Sequence, residues 1–317
     1  MKIVALAGGV GGAKFAHGLA QILTPEELTV IVNTGDDFEH YGLYICPDLD
    51  TVCYTLAGLA NPETGWGRMD ETWNVIENAV KLGGPDWFRL GDRDLGTHLE
   101  RTRRLKEGQT LSQVTKDFCK AWGIKQTVLP MSDQPVRTIV ETDEGDLAFQ
   151  EYFVHRHCEP RVKGFRFEGV DAAEPASGAR EAIQAADAII ICPSNPWVSI
   201  DPILQTFFIN TSSSEWERDW GNGKPVVAIS PIIGGQTVKG PAAKMFHELG
   251  IEPSALAVAK HYCDLTTGFV LDTIDRQLQA EIRSLNMRTL VTNTLMKSHD
   301  SRKQLAGDLL KFIEAEL

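Results

Sequence analysis

The chain has 317 residues, 43 of them acidic and 31 basic, for a formal net charge of -12. With 43% hydrophobic and 23% charged residues it has the balance of a soluble globular protein, not a disordered one. The acidic excess argues against a nucleic-acid partner, which needs a basic face, but is compatible with a local basic pocket for a phosphorylated small molecule.

No apolar run reaches the roughly 18–20 residues of a membrane span. The opening run Lys2 to Ala7 passes directly into Gly8 and Gly9 without a small-residue cleavage site, so it reads as a buried strand and not as a signal peptide. Residues 13–23 follow with helical spacing, Phe15, Leu19 and Ile22 on one side. Residues 28–33 (LTVIVN) read as a strand buried on both faces. Strand, glycine turn, helix and strand make a βαβ unit, so the sheet should be parallel at its centre.

From 51 to 123 the pattern turns helical. Trp73, Ile76 and Val80 form one stripe, Leu95, Leu99, Thr102 and Leu105 a second, and Leu111, Val114, Phe118 and Trp122 a third, with Asp70 and Thr110 at N-cap positions. No Pro/Gly/Ser linker flanks this stretch. Residues 52–124 are therefore expected as a small helical insertion within one domain, 1–317. Residues 138–141 and 147–154 read as a hairpin about the Asp143-Glu144-Gly145 turn. A helix at 179–186, buried strands at 188–192 and 226–229, a loop from Pro231 to Pro241, a helix to Leu249 and an amphipathic helix at 301–316 complete a doubly wound α/β fold. The six cysteines (46, 53, 119, 158, 192 and 263) form no CxxC pair and read as buried free thiols of a reducing cytoplasm.

Ligands of open α/β sheets bind at the carboxyl ends of the strands. Gly8, Gly9, Val10, Gly11, Gly12 and Lys14 leave the first strand there. The glycines let backbone N–H groups approach a phosphate, and the helix start and Lys14 add positive charge. The segment is neither a Walker A loop nor a clean GxGxxG, and its other reading is a tight strand-to-helix turn. Asp36, Asp37, Asp48 and Asp50 crowd four carboxylates after the second strand. Hard oxygen ligands suit Mg²⁺; alternatively some are helix caps, Asp50 standing directly before the run from Thr51. Trp87, Phe88 and Arg89 offer ring stacking and an anion contact, or Arg93 and Asp94 serve only as local pair and cap. Ser194 and Asn195 after one strand, and Gly234 and Gly235 after another, sit in proline-locked loops at equivalent strand ends, which favours a shared crevice over two unrelated turns. His17, His40 and His98 lie near these segments without a Ser–His–Asp order.

Together GGVGGAK (8–14), VNTGDDFEHYGLYICPDLDT (32–51), WGRMDETW (66–73), WFRLGDRDLGTH (87–98), FQEYFV (149–154), PSNPWVSIDPIL (193–204) and SPIIGG (230–235) resemble the signature segments of the 2-phospho-L-lactate transferase family, CofD/FbiA, of coenzyme F420 biosynthesis. The match is collinear over residues 2–272, with PDLDT and LGDRDL its specific parts. The resemblance implies a Rossmann-like core with a small helical subdomain, a homodimer, and Mg²⁺ as cofactor. It implies transfer of a guanosine-diphosphate-activated three-carbon acid, 2-phospholactyl or enolpyruvyl, to the ribityl hydroxyl of the deazaflavin 7,8-didemethyl-8-hydroxy-5-deazariboflavin (FO), releasing GMP.

Carried onto this chain, the resemblance makes Asp50 the catalytic, FO-contacting aspartate, with Arg89 as a further FO contact and Trp87 and Trp66 as walls for the flat ring. Asp50 with Asp36 and Asp37 would hold Mg²⁺. The Gly8–Gly12 turn and Lys14 would hold phosphate, and Ser194, Asn195, Gly234 and Gly235 the rest of the nucleotide. Val10 replaces a Thr common in the family, which removes one hydroxyl but leaves the amide cradle. With SPIIGG it looks closer to the bacterial members, many of which use a phosphoenolpyruvate derivative, although no single motif separates the lactyl from the enolpyruvyl group. Two other readings differ in class. One is a non-catalytic nucleotide-sugar-binding regulator of the same fold, which has no need of PDLDT and LGDRDL. The other is a nicotinamide oxidoreductase, disfavoured because Asn33, not an acid, ends the second strand.

Overall fold

A computed structural model describes residues 1–208, 220 and 223–317. β1 (Ile3–Ala7) and β2 (Leu28–Val32) carry one polar side chain between them, Thr29, as strands covered on both faces must. Helix α1 (Gly9–Ala20) joins them. A hairpin follows, β3 (Phe38–His40) and β4 (Leu43–Ile45), and then four helices, α2 (Pro47–Leu56), α3 (Asn74–Lys81), α4 (Asp92–Lys106) and α5 (Leu111–Ala121), before β5 (Thr127–Pro130). β6 (Arg137–Thr142), β7 (Gly145–Ala148) and β8 (Val162–Glu168) form a separate antiparallel sheet, order β7-β6-β8. Helix α6 (Ala179–Ala185), β9 (Ala188–Ile191), α7 (Asp201–Phe208), β10 (Val226–Ile229), the small hairpin β11 (Ile232–Ile233) and β12 (Gln236–Thr237), α8 (Ala242–Glu248) and α9 (Ala255–His261) lead to β13 (Gly268–Asp272), α10 (Gln279–Arg283), β14 (Arg288–Thr292) and α11 (His299–Glu316).

The central sheet has seven parallel strands in the order β14-β13-β10-β9-β1-β2-β5. From β1 the chain winds outward to β5, then returns to β9 on the other side of β1 and winds outward to β14. The doubly wound α/β expectation is met, and the β1/β9 boundary is the switch point at which such sheets open a ligand crevice. Alternate side chains feed two cores. Ile3, Ala5 and Ala7 pack toward α1, α2, α5 and α11, while Val4 and Leu6 pack toward α6, α7, α8 and α9. Among the described residues no helix is long and apolar enough to cross a membrane.

Several sequence expectations shift. The hairpin's second strand ends at Ala148 and not at 154, because Phe149 and Tyr152 are buried at a spacing of three and Glu151–His155 forms one wide helical turn. β8, β13 and β14 were not anticipated. Ile22 lies beyond the end of α1 and is 40% exposed. Helix α2 starts at Pro47, whose missing N–H is not needed at a first helical position, so Asp50 lies inside the helix and does not cap it. Leu99, expected inward on α4, is 57% exposed; Leu95, His98, Arg101 and Thr102 face in instead. Asp70 adopts a left-handed φ of 54° and is no cap. The start of α3 is capped by Asp92, which accepts from the N–H groups of Asn74 (3.1 Å) and Val75 (3.0 Å). Glu71 caps α4 in return, accepting from the N–H groups of Arg93 and Asp94, both at 2.8 Å. Asp94, within that first turn, is capped and does not cap. Thr110 caps α5 as expected, in a capping box with Gln113.

Helices α1 and α11 approach so closely that a Cβ on Gly18 would stand 2.7 Å from the backbone carbon of Arg302. Gly18→Ala is therefore expected to cost about 1–3 kcal/mol through overpacking, read as a lower urea midpoint. Gly96, whose Cβ would meet nothing within 4 Å on the exposed face of α4, gives the opposite result: Gly96→Ala should gain about 0.5–1 kcal/mol.

Candidate active site

The glycine turn sits at the switch point. Gly8 precedes α1 in an extended conformation and offers no side-chain cap of its own; the Asp48 carboxylate takes the Gly9 N–H at the helix start, which lies at the strand ends. Ser194, from the loop after β9, clasps Gly8: its hydroxyl accepts from the Gly8 N–H at 3.1 Å and donates to the Gly8 carbonyl at 2.8 Å. A side chain at Gly11 would collide with the Pro193 carbonyl, so only glycine lets the two loops meet. Ser194 thus locks the turn. Asn195 caps its own helical turn through the N–H groups of Trp197 (3.1 Å) and Val198, and its amide nitrogen reaches Met245 Sδ at 3.3 Å. Gly234 and Gly235 form the β11–β12 turn, and the Gly234 N–H is taken by the Asp275 carboxylate at 3.0 Å. In this structure Ser194, Asn195 and Gly234 all have partners within the protein.

A row of carboxylates borders the turn. Asn33, at the end of β2, donates to Asp48 Oδ2 at 3.0 Å and to the Val198 carbonyl at 3.2 Å, and its own oxygen accepts from the Gly35 N–H at 2.8 Å. Asp48 lies against the glycine turn: a Cβ on Gly8 would stand 2.7 Å from its Oδ2. Burial pushes the Asp48 carboxyl up to about 6, against the Asn33 and Gly9 hydrogen bonds. Burial and then the Asp48 charge hold Asp36 well above the usual carboxylate range. Burial raises Asp37 to about 7, opposed by the nearby Cys46 thiol, Arg137 and Arg101. One oxygen of Asp36 and both of Asp37 are buried without a hydrogen-bond partner. Unsatisfied buried carboxylates of this kind fit a hard divalent cation.

Asp50 is different. Both of its oxygens are gripped by the fully buried Arg101, Nη1 reaching Oδ2 at 3.0 Å and Nη2 reaching Oδ1. His98 Nδ1 lies 3.7 Å from Asp50, and His98 Nε2 lies 3.4 Å from Asp94, which accepts a 2.6 Å hydrogen bond from Tyr54. Asp50, Asp94 and His98 offer ligand atoms within 4.8 Å of one another, but Arg101 already supplies the cation there. Burial raises the Asp50 carboxyl while Arg101 and His98 oppose the rise. Asp50 is thus a positioned anion; the orphaned oxygens belong to Asp36, which feels the charge of Asp48, and to Asp37, which feels that of Asp50.

Trp87 reaches from the insertion into an aromatic group formed with residues outside it, stacked on His155 (5.2 Å) and near Phe38 and His40. Arg89 is exposed, its guanidinium 4.6 Å from the Trp73 ring centre, and Trp66 is 54% exposed. Sequence reasoning missed Arg101 and His98 as site residues. Their signal was the Asp94, His98, Arg101 spacing of four and three on one helix face, obscured by the four charged neighbours around Arg101 that read as a solvated surface.

A family profile described as 2-phospho-L-lactate transferase CofD matches residues 3–315. A phosphoenolpyruvate transferase from Streptomyces griseus is 43% identical over 99% of both chains. One from Kitasatospora aureofaciens is 44% identical over 99% of this chain and 98% of its own. A 2-phospho-L-lactate transferase from Methanosarcina mazei is 38% identical over 96% of this chain and 98% of its own. Among solved structures, a UPF0052-family protein from Bacillus halodurans superposes with a TM-score of 0.61 over 98% of each chain at 16% identity, a likeness of fold alone.

The buried acids make stability depend on pH. Unfolded aspartates release their proton near 3.9, whereas Asp37 in the fold holds its proton to about 7 and Asp48 to about 6. Between these values the folded state binds more protons, so stability falls as pH rises through the window. In chelator, Asp37→Asn is expected to raise the melting temperature at pH 8, leave it unchanged at pH 4 and flatten the slope between. An Asp37→Asn slope equal to that of the parent protein would reject the assignment.

Proposed function

The chain belongs to the CofD family of 2-phospho-L-lactate transferases, and on that basis we propose that it joins a guanosine-diphosphate-activated three-carbon acid to the terminal ribityl hydroxyl of FO and releases GMP, a step of coenzyme F420 biosynthesis. The observation that supports this reading is the Asp50–Arg101 pair, a buried and fixed anion near Asp37 of the acid row, which suits the orientation of an attacking hydroxyl.

In the proposed reaction the hydroxyl oxygen bonds to the phosphorus that carries the three-carbon acid, the bond to GMP breaks, and the hydroxyl proton passes to Asp50 and on to water. Such a transfer depends on positioning and charge neutralisation more than on a protein nucleophile, which suits a site whose buried thiols and histidines have no nucleophile-activating arrangement. Asp50, held by Arg101, accepts a hydrogen bond from the hydroxyl and aims its oxygen. The amides at the start of α1 and Lys14 hold the phosphates. Asp36 and Asp37, with Asp48 beside them, would hold Mg²⁺, which when bound offsets charge on the transferred phosphoryl group. Trp87 and its aromatic neighbours offer a wall for the deazaflavin, with Arg89 at the rim. The names carried by the Streptomyces and Kitasatospora relatives support enolpyruvate as the transferred acid. Assembly as a homodimer, checked by sedimentation, and a cytoplasmic setting, supported by the free cysteines, belong to the same reading.

Mass spectrometry of the product formed from FO with each activated acid tests this. The enolpyruvyl product is expected, two hydrogens lighter than the lactyl one. A protein that binds GDP yet forms neither product with Mg²⁺ present would be a nucleotide binder and not a transferase. Asp50→Asn is expected to lower turnover about 100-fold or more, with little change in GDP affinity. Near-parental turnover in that variant would remove Asp50 from the reaction.

A further inference from the structure

Arg101 does more than grip Asp50. Its Nη1, which donates to Asp50 Oδ2 at 3.0 Å, also lies 3.2 Å from His98 Nδ1 and 3.4 Å from the Tyr44 carbonyl. Among the described residues His98 is the one side chain besides Asp50 that meets this guanidinium at hydrogen-bond distance. An arginine carries five N–H donors and no acceptor, so the nitrogen that faces it must accept. His98 therefore turns the lone pair of Nδ1 toward Arg101 and carries its ring proton on Nε2. Asp50 does not compete for Nδ1, from which it stands 3.7 Å away.

The other side of the ring meets Asp94. His98 Nε2 lies 3.4 Å from Asp94 Oδ1 and, in a residue only 1% exposed, bonds to nothing else. Asp94 accepts from the Tyr54 hydroxyl at 2.6 Å, and that hydroxyl lies 2.8 Å from Thr97 Oγ1. Asp94, His98 and Arg101 follow one another at spacings of four and three on one face of α4. Opposite them, Asp50 and Tyr54 stand four apart on α2. The two helices thus meet through Tyr54–Asp94 at one end and Asp50–Arg101 at the other, with His98 joining the ends.

A carboxylate has about four lone-pair sites, and the arginine fork occupies two of them. The direction of the rest follows the plane of the guanidinium, because a bidentate pair holds fork and carboxylate together. We propose that His98 and Asp94 are positioning residues for the transfer: Asp94 fixes the His98 tautomer, and His98 Nδ1 fixes the plane in which Arg101 presents Asp50. That Asp50 aims an attacking hydroxyl rests on the function proposed above; the tautomer and its dependence on Asp94 do not.

Nitrogen NMR of the protein carrying isotope-labelled histidine reads the tautomer, the signals lost in His98→Asn giving the assignment. The parent should show one fixed form, Nδ1 bare and Nε2 protonated. Asp94→Asn should lose that form, because an asparagine can offer an N–H to Nε2 and release the ring proton to Nδ1. Steady-state kinetics reads the positioning. His98→Leu should lower kcat roughly 10-fold or more, with little change in KM for the activated acid. His98→Asn, whose side-chain oxygen stands where Nδ1 did, should recover most of the loss. Should His98→Leu not fold, Asp94→Asn, at a side chain 17% exposed, carries the kinetic test with the same loss expected. Near-parental kcat in the variant that folds, a protonated Nδ1 in the parent, or equal losses in His98→Leu and His98→Asn would overturn the proposal. A parent that makes no deazaflavin product rejects the transfer and the positioning role with it, while the same spectra still report the tautomer. An active parent with an unaffected His98→Leu rejects the positioning role alone.

Discussion

Withdrawing several carboxylates from water side by side is the most demanding thing this fold does. Asp36, Asp37, Asp48 and Asp50 are all nearly inaccessible, and each is raised above the ordinary range chiefly by burial. A cluster of that kind persists only if other parts of the structure hold it. Here the support is specific. Arg101 grips Asp50 from α4, Asn33 grips Asp48 from the end of β2, and Arg137 approaches Asp37 from β6. The insertion, the central sheet and the antiparallel sheet each contribute one buttress, so the acid row is where the three parts are tied together.

The glycine turn belongs to the same construction. Asp48 fills the space a Gly8 side chain would need, and the loop after β9 fills the space beside Gly11. The amides of the glycine turn and the Asp48 carboxylate are consequently in contact by packing necessity, not by two independent placements. This proximity of opposite chemistries suits phosphoryl transfer, in which an anionic group passes between them.

The fold was largely readable from the sequence because buried parallel strands such as LTVIV and AIII announce themselves as short β-branched runs, and the switch point follows from their order. The strands β8 and β14 were not, since GFRF and RTLVT include charged or small residues and resemble loop or helix in isolation. Within the site, the acids and the glycines were visible as residue types. What they pair with was not. Arg101 stands 51 positions from Asp50, and its spacing from Asp94 and His98 is masked by Arg103 and Arg104, which pair with Glu100. Ser194 and Asn195 were legible as polar loop residues, but only the packed structure shows them spending their hydrogen bonds on the backbone around them.

Helices α3 and α4 exchange caps. Glu71, which precedes α3, closes the start of α4, and Asp92, which opens α4, closes the start of α3. Neither helix can therefore begin without the segment that belongs to the other. The stretch from residue 71 to 94 is a closed circuit of mutual dependence that should form or unravel as one cooperative unit, carrying Trp87 and Arg89 with it as passengers.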